Sequence, residues 1–253
     1  MRVTFLGTGT SQGVPVIACK CNVCRSLNEK DKRLRSSIMI EVDDNIFVID
    51  SGPDFRQQML REKPSKLDAL IITHGHKDHI GGMDDIRAFN FILKKPIDVY
   101  ASIYSQESIR REYSYVFAEV KYPGIPQITF HTIENKTFYI NNVRIIPILC
   151  LHYKMNVFGY RIGDFTYITD ASFVSEIEKD KIRGSKIVVI NALRKTPHIS
   201  HFTLSQSINF LYDINPDKAY ITHVSHQMGL HDEINDELPS FIRVAYDGLK
   251  IEI

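Results

Sequence analysis

His74-Gly75-His76-Lys77-Asp78-His79 stands directly after the apolar run Leu67 to Thr73 and directly before Ile80-Gly81-Gly82. The run reads as a buried strand, so four metal-binding side chains fall in one short loop at its end. Alternate residues of an extended segment point the same way. His74 and His76 can therefore converge on one cation, while Asp78 and His79, just beyond, can turn toward a second. Gly81 and Gly82 let the backbone bend away, and Met83 to Leu93 reads as a helix with Ile86, Phe89, Phe91 and Leu93 available to pack. A metal-free surface turn is the competing reading, and three imidazoles with a carboxylate in so short a stretch weigh against it.

Two cations need more donors than one loop supplies. Three segments end almost identically: Leu70-Ile71-Ile72-Thr73 before His74, Thr166-Tyr167-Ile168-Thr169 before Asp170, and Ala219-Tyr220-Ile221-Thr222 before His223. A fourth run, Ile145 to Leu151, leads into His152. Each is a β-rich stretch delivering a potential ligand at its C-terminal end, where open sheets carry their sites. All four ends can meet in one cleft.

The order His-x-His-x-Asp-His, then His152, Asp170 and His223, resembles the metallo-β-lactamase superfamily of binuclear metal hydrolases, over a stretch reaching from Met1 to the last strand. That resemblance implies an α/β fold, an αββα sandwich of two mixed sheets flanked by helices. It assigns His74, His76, His152 and Asp170 to one metal, and Asp78, His79, His223 and a bridging Asp170 to the other. Asp50, in Phe47-Val48-Ile49-Asp50-Ser51-Gly52, matches an aspartate that sits behind the ligands and orients a histidine. Capping of the following turn is its plainer role. Two divalent cations sharing a water bring its pKa from about 15.7 toward 7 and stabilise negative charge on the attacked centre, so the implied chemistry is metal-assisted hydrolysis.

Cys19-Lys20-Cys21-Asn22-Val23-Cys24 follows Gly13-Val14-Pro15. Three thiols at this spacing form a soft-ligand set for zinc, with buried small thiols as the alternative. Zinc takes four ligands, and His226, three residues beyond His223, is the candidate fourth. A Cys-x-Cys-x2-Cys loop joined to this His-x2-His pair resembles the PhnP-type branch of the superfamily, whose members open phosphoribosyl 1,2-cyclic phosphate. Thr8-Gly9-Thr10, Arg35-Ser36-Ser37, Asp50-Ser51-Gly52-Pro53-Asp54-Phe55-Arg56 and Pro197-His198-Ile199-Ser200-His201-Phe202-Thr203 match as well. Thr10-Ser11-Gln12-Gly13 is a variant shared with other phosphodiesterase-like members and leaves the substrate open. Cys150, alone on an apolar strand, reads as a core thiol, and nothing points to disulfides.

Thr203-Leu204-Ser205-Gln206 is a capping box opening a helix through Ile208, Phe210 and Leu211. His201 lies just before that start, where free amides and the helix dipole favour an anion. The resemblance gives it the role of donating a proton to the leaving oxygen, a task suited to an imidazole; a solvated loop histidine is the alternative. Asp78 is counted with His201 as catalytic. His198 reads as structural or rim, and His131 and His231 as surface residues. Arg194 reads as a surface salt-bridge partner before a phosphate ligand. The aromatic stretch Ile109 to Phe130 reads as ordinary packing of an inserted segment, with a cleft overhang or a dimer contact as alternatives.

With no linker, repeat or charge block, the chain reads as one domain, residues 1–253. Met1 to Leu6 begins as strand with no signal-peptide pattern, and no run reaches membrane-span length, so a cytoplasmic protein without a membrane partner is expected. The 31 basic and 30 acidic residues give no footprint for a long nucleic acid, and no stable nucleic-acid partner is expected. The combined expectation is a phosphodiesterase for a small, cyclic or nucleotide-like phosphodiester, with a catalytic pair of zinc or manganese ions, one structural zinc and a homodimer as a reasonable assembly. A tRNA 3′-processing nuclease, a thioester or lactone hydrolase, and a non-catalytic metal-binding accessory protein are the alternatives.

Overall fold

The apolar runs bury both of their faces. In the computed structural model, which describes residues 1–120 and 122–253, Val3, Phe5, Ile38, Ile40, Phe47 and Ile49 point into one core. Their neighbours in sequence, Leu6, Met39 and Val48, point into another. A strand's two-residue period sorts them this way, and two buried faces explain why the runs read as continuously apolar.

The first sheet holds β1 (Arg2–Gly7), β2 (Ser37–Val42), β3 (Asn45–Ile49), β4 (Ala69–Ile71), β5 (Ile97–Ala101) and β6 (Ile128–Thr132) in sequence order. The second holds β7 (Phe138–Ile140), β8 (Val143–His152), β9 (Met155–Ile162), β10 (Phe165–Tyr167), β11 (Phe173–Val174), β12 (Ile187–Asn191), β13 (Lys218–Thr222) and β14 (Ile242–Val244). Its order is β11-β8-β9-β10-β12-β13-β14, with β7 paired to β8, and β15 (Lys250–Glu252) returns to the first sheet beside β1. Antiparallel pairs give way to parallel ones from β3 to β6 and from β10 through β12 to β14.

The sheets pack face to face through Phe5, Phe47, Tyr160, Tyr167 and Val189. Outside the first lie α2 (Phe55–Glu62), α4 (Arg87–Leu93) and α5 (Ile103–Glu112), anchored by Phe55, Phe89 and Ile109; α1 (Asn22–Arg25) and α3 (Lys77–Ile80) are single turns. Outside the second lie α6 (Glu176–Ile182), α7 (Leu204–Ile214) and α8 (His231–Glu237), anchored by Ile182, Leu211 and Ile234. The architecture is the expected αββα sandwich. Among the described residues no helix is long and apolar enough to cross a membrane.

Several local expectations need correction. Met83 to Leu93 is a 3-10 turn, Met83–Ile86, followed by α4. Its inward face is Ile86, Phe89, Asn90 and Leu93, at helical spacing, so Phe91 falls off that face and is 66% exposed. His231 is buried: its N–H donates to Asp31 Oδ1 (2.7 Å) and its Nδ1 lies 3.1 Å from the Arg33 guanidinium, contacts hidden behind charged sequence neighbours. His131 is half-exposed, stacked on Tyr100 and bonded to Asp98. Arg194 makes no salt bridge among the described residues; it donates to Gln227 Oε1 and to the Pro197 carbonyl, both at 2.8 Å. By contrast, Ile109 to Phe130, of which Lys121 lies outside the described residues, packs as expected: Tyr113 is buried and donates to the Ile80 carbonyl, and Phe117 stacks on Phe130.

Candidate metal centre

The ends of β4, β8, β10 and β13 open on one edge of the sandwich, and their side chains meet there in two clusters of donor atoms. His74, His76 and His152 form one, and Asp78, His79, Asp170 and His223 the other, with the atoms of each within 4.8 Å of one another. Asp170 faces both: Oδ2 is 3.9 Å from His74 Nε2, and Oδ1 is 3.3 Å from His79 Nε2. His201 joins His152 and Asp170 in a third such group, its ring 4.6 Å from His152 and 5.0 Å from His223.

The backbone turns abruptly to present these groups. Asp50 (φ 66°) and His223 (φ 56°), directly after their strands, and Asp170 (φ 56°), three residues after its own, all adopt the left-handed region. Asp tolerates that region better than most residues, but each instance costs about 1 kcal/mol or more and is held by surrounding structure. Asp78 and His79 lie on α3, so a helical turn, not a loop, carries them sideways from His74 and His76.

Four imidazoles have their Nδ1 protons fixed by a hydrogen-bond network. His79 Nδ1 donates to Asp50 Oδ2 (2.7 Å). Thr73 Oγ1 donates to the same carboxylate (2.8 Å) and accepts from His74 Nδ1 (3.0 Å), so Asp50 governs both rings. His152 Nδ1 donates to the Ser200 carbonyl (2.8 Å). Ser36 Oγ donates to the Gly9 carbonyl (2.9 Å), which leaves it accepting from His223 Nδ1 (3.1 Å). Every one of these rings then presents a bare Nε2.

Those of His74, His79 and His223 are buried with no hydrogen-bond partner among the described residues. An unpaired buried polar atom costs about 1–3 kcal/mol, and two cations would satisfy the three, one at His74 and one shared by His79 and His223. The electrostatics agree. Burial and the neighbouring His79 hold His74 well below the usual histidine range, keeping it neutral. Burial opposes a charge on His79, but Asp78, Asp170 and Asp50 outweigh it and hold that ring well above the usual range. Burial likewise opposes the Asp170 carboxylate, yet His223 and His79 hold it well below the usual range. The cluster thus asks for positive charge among its carboxylates. Its donor set fits a pair of divalent cations.

Cys19, Cys21, Cys24 and His226 form a separate cluster, again with donor atoms within 4.8 Å. His226 Nδ1 lies 3.3 Å from Cys19 Sγ and 3.4 Å from Cys21 Sγ. The Cys24 N–H donates to Cys21 Sγ and, despite burial, brings that thiol down to about 6, while burial pushes Cys24 up to about 11. Three free thiols and one imidazole converging from opposite ends of the chain fit one zinc ion. The loop is anchored where Thr10 N donates to the Val224 carbonyl, one residue beyond His223.

Sequence reading missed the residues that orient the donors: Thr73, Ser36 and the Ser200 carbonyl. The signal for the first was present, since a threonine precedes His74, Asp170 and His223 alike. Thr169 Oγ1 donates to Asp170 Oδ1 (2.7 Å), whereas Thr222 Oγ1 finds no partner among the described residues. His198 is half-buried, its Nδ1 taking the Ser200 N–H, and its ring lies 5.1 Å from His201. Cys150 is 1% exposed, in the core.

Comparisons with known proteins agree with this geometry. The sequence profile of the β-lactamase superfamily domain matches residues 45–224. A crystal structure of a diphosphatase from the PhnP family superposes with a TM-score of 0.93 at 36% identity, covering 100% of this chain and 97% of that one. An octanoyltransferase from Porphyromonas gingivalis is 36% identical over 253 residues, 99% of this chain and 51% of that protein. A ribonuclease Z from Nostoc sp. is 29% identical over 185 residues, 72% of this chain and 51% of that protein. The chain spans about half the length of these curated relatives.

Proposed function

The chain belongs to the metallo-β-lactamase superfamily and, within it, to the PhnP family, and from that premise we propose that it is a metal-dependent phosphodiesterase acting on a small phosphodiester. The observation that carries this reading is the set of bare, buried Nε2 atoms on His74, His79 and His223, arranged around a carboxylate that faces both clusters. His74, His76, His152 and Asp170 would hold one cation, and Asp78, His79, His223 and Asp170 the other, zinc or manganese being suited to such donors. When bound, the cations supply Lewis acidity and acidify water.

The protein's own groups divide the remaining work. Asp50, Thr73, Ser36 and the Ser200 carbonyl hold the Nδ1 protons, so no ring needs to change tautomer when a cation arrives. Asp78 is mostly buried, its side chain 12% exposed, and it closes the second donor set. His201 stands above both clusters, two residues before Thr203, which caps α7 in a reciprocal box with Gln206. Burial and the adjacent His223 push His201 down to about 3, which favours the neutral ring. An anionic phosphoryl group entering there favours the imidazolium. The proton that His201 hands to the leaving oxygen is therefore acquired with the substrate.

The octanoyltransferase name belongs to a protein twice as long, and this chain offers little for acyl transfer through sulfur. Its one thiol outside the zinc cluster, Cys150, is buried and pushed up to about 12 by that burial. The ribonuclease Z relatives favour phosphodiester chemistry but not a long nucleic acid, given a net charge of +1.

Elemental analysis combined with turnover of bis(p-nitrophenyl) phosphate tests the reading. About three metals per chain are expected, with activity abolished in Asp170→Ala. Metal-replete protein that leaves phosphodiesters intact while cleaving a thioester or lactone would overturn it.

A further inference from the structure

The segment between β12 and α7 carries both His201 and the Ser200 carbonyl, yet it is an irregular loop. Its ends are tied down: Leu193 N–H donates to the Phe202 carbonyl (3.0 Å), Phe202 N–H to the Ala171 carbonyl (2.9 Å) and Leu204 N–H to the Arg194 carbonyl (3.0 Å). From Lys195 to His201 no backbone–backbone hydrogen bond occurs among the described residues, and Lys195, Thr196, Pro197 and Ile199 are exposed. Such a loop stays mobile unless side chains hold it. A reacting group tolerates little of that motion, since a displacement of about 1 Å can cost about 10²-fold in rate.

Two side chains hold this loop. Arg194 Nη2 donates to the Pro197 carbonyl (2.8 Å) and Nε to the Thr196 carbonyl (3.3 Å), while Nη1 is secured on Gln227 Oε1 (2.8 Å). That fixes the first half. The second half turns on His198, whose Nδ1 accepts from the Ser200 N–H (3.3 Å) and lies equally close to Ser200 Oγ. An N–H can donate only to a bare ring nitrogen, so the neutral His198 ring carries its proton on Nε2. Its Nδ1 stands where the Oδ1 of an asparagine would stand, and the bond to the N–H two residues on is that of an Asx-turn.

Holding the Ser200 peptide has two consequences. The Ser200 carbonyl meets His152 Nδ1 at 2.8 Å and keeps that ring's proton away from Nε2. The next side chain, His201, is directed inward between His152 and His223, with ring centres 4.6 and 5.0 Å away. His198 belongs to none of the donor clusters.

We propose that His198 is a positioning residue: through its Nδ1 it sets the Ser200 peptide, and thereby both the tautomer of the metal-binding His152 and the placement of His201. For its effect on turnover the proposal rests on the phosphodiesterase reading of the centre. For its effect on metal affinity it does not.

Three substitutions separate this role from a merely structural one. Asparagine reproduces the acceptor at the Nδ1 position, glutamine places its polar group near the Nε2 position instead, and alanine offers neither. In competition against a chromophoric chelator, His198→Ala and His198→Gln should weaken one of the two active-site zinc-binding steps about tenfold, as loss of support behind a ligand implies. His198→Asn should restore it to within about threefold, and the zinc of the cysteine cluster should stay unchanged in all three. At saturating zinc, the alanine and glutamine variants should lower kcat about 10–100-fold for adenosine 2′,3′-cyclic phosphate, whose leaving group is an alkyl oxygen, and less than about threefold for bis(p-nitrophenyl) phosphate. His198→Asn should again recover the loss. Wild-type zinc affinity in His198→Ala, rescue by glutamine as good as by asparagine, or equal losses in all three variants would overturn the proposal. Wild-type protein that cleaves neither ester, yet shows the asparagine-specific rescue of zinc affinity, would sink the phosphodiesterase reading and leave the role of His198 standing.

Discussion

Replacing Asp50 by asparagine probes the network that prepares the metal site while hardly altering its shape. Asp50 is fully buried and accepts from the Thr73 N–H and Thr73 Oγ1, each at 2.8 Å, and from His79 Nδ1 at 2.7 Å. In Asp50→Asn the amide oxygen keeps the Thr73 N–H, and the threonine hydroxyl can rotate to accept from the new NH2 group. The His79 N–H cannot adapt, because it now meets a donor. Either a buried donor goes unmatched, at about 1–3 kcal/mol, or the proton moves to Nε2 and blocks the nitrogen that faces Asp78 and Asp170. Both outcomes weaken cation binding, by about 10–100-fold for an altered supporting group, or about 1.4–2.7 kcal/mol. Competition against a chromophoric zinc chelator measures this directly, with the cysteine cluster as an internal reference that should not change. Thr73→Val separates the two branches, since it releases His74 while leaving the His79 bond in place. If Asp50→Asn bound its full metal complement within about threefold of wild-type affinity, the claim that this carboxylate sets the ring tautomers would be wrong.

Three further outcomes follow from other parts of the molecule. His201→Ala should lower kcat about 10²–10⁴-fold for an alkyl leaving group and far less for p-nitrophenolate, which needs no proton; equal losses on the two esters would remove His201 as the donor. Cys24→Ser should cost one zinc per chain and lower the melting temperature while the active-site metals remain, as elemental analysis and calorimetry can show; an unchanged metal count would dissolve the four-ligand assignment. Asp247 accepts from Leu34 N and Thr8 Oγ1 at 2.7 Å each, and burial pushes it up to about 6. A folded-state value above the unfolded value of about 3.9 favours folding below that value, and the benefit is lost as pH rises through 6. Wild-type stability relative to Asp247→Asn should therefore fall by up to about 3 kcal/mol between pH 4 and 7 in denaturant titrations. A constant or rising difference would contradict the buried-carboxyl argument.

Much of the fold was legible because its signals are local. The runs before His74, Asp170 and His223 carry strand composition, and Thr203 with Gln206 announces the start of α7 in four residues. The illegible parts depend on distant partners. His231 looks like a surface residue beside Asp232 and Glu233, yet Asp31 and Arg33, some two hundred positions earlier, bury it. Ser36 fixes His223 across a similar separation. Nothing in the order of residues announces a backbone carbonyl, such as that of Ser200, as the partner of His152.

The two donor clusters draw on both sheets: His74, His76, Asp78 and His79 follow β4, whereas His152, Asp170 and His223 end strands of the other layer. A gene fragment ending before residue 150 would preserve the recognisable histidine motif yet inherit no reactive centre, since Asp170 is lost to both clusters at once. The donor set on this scaffold is therefore indivisible: recombination can exchange surface loops, but a crossover between the layers must bring together halves whose edges agree to better than about 1 Å.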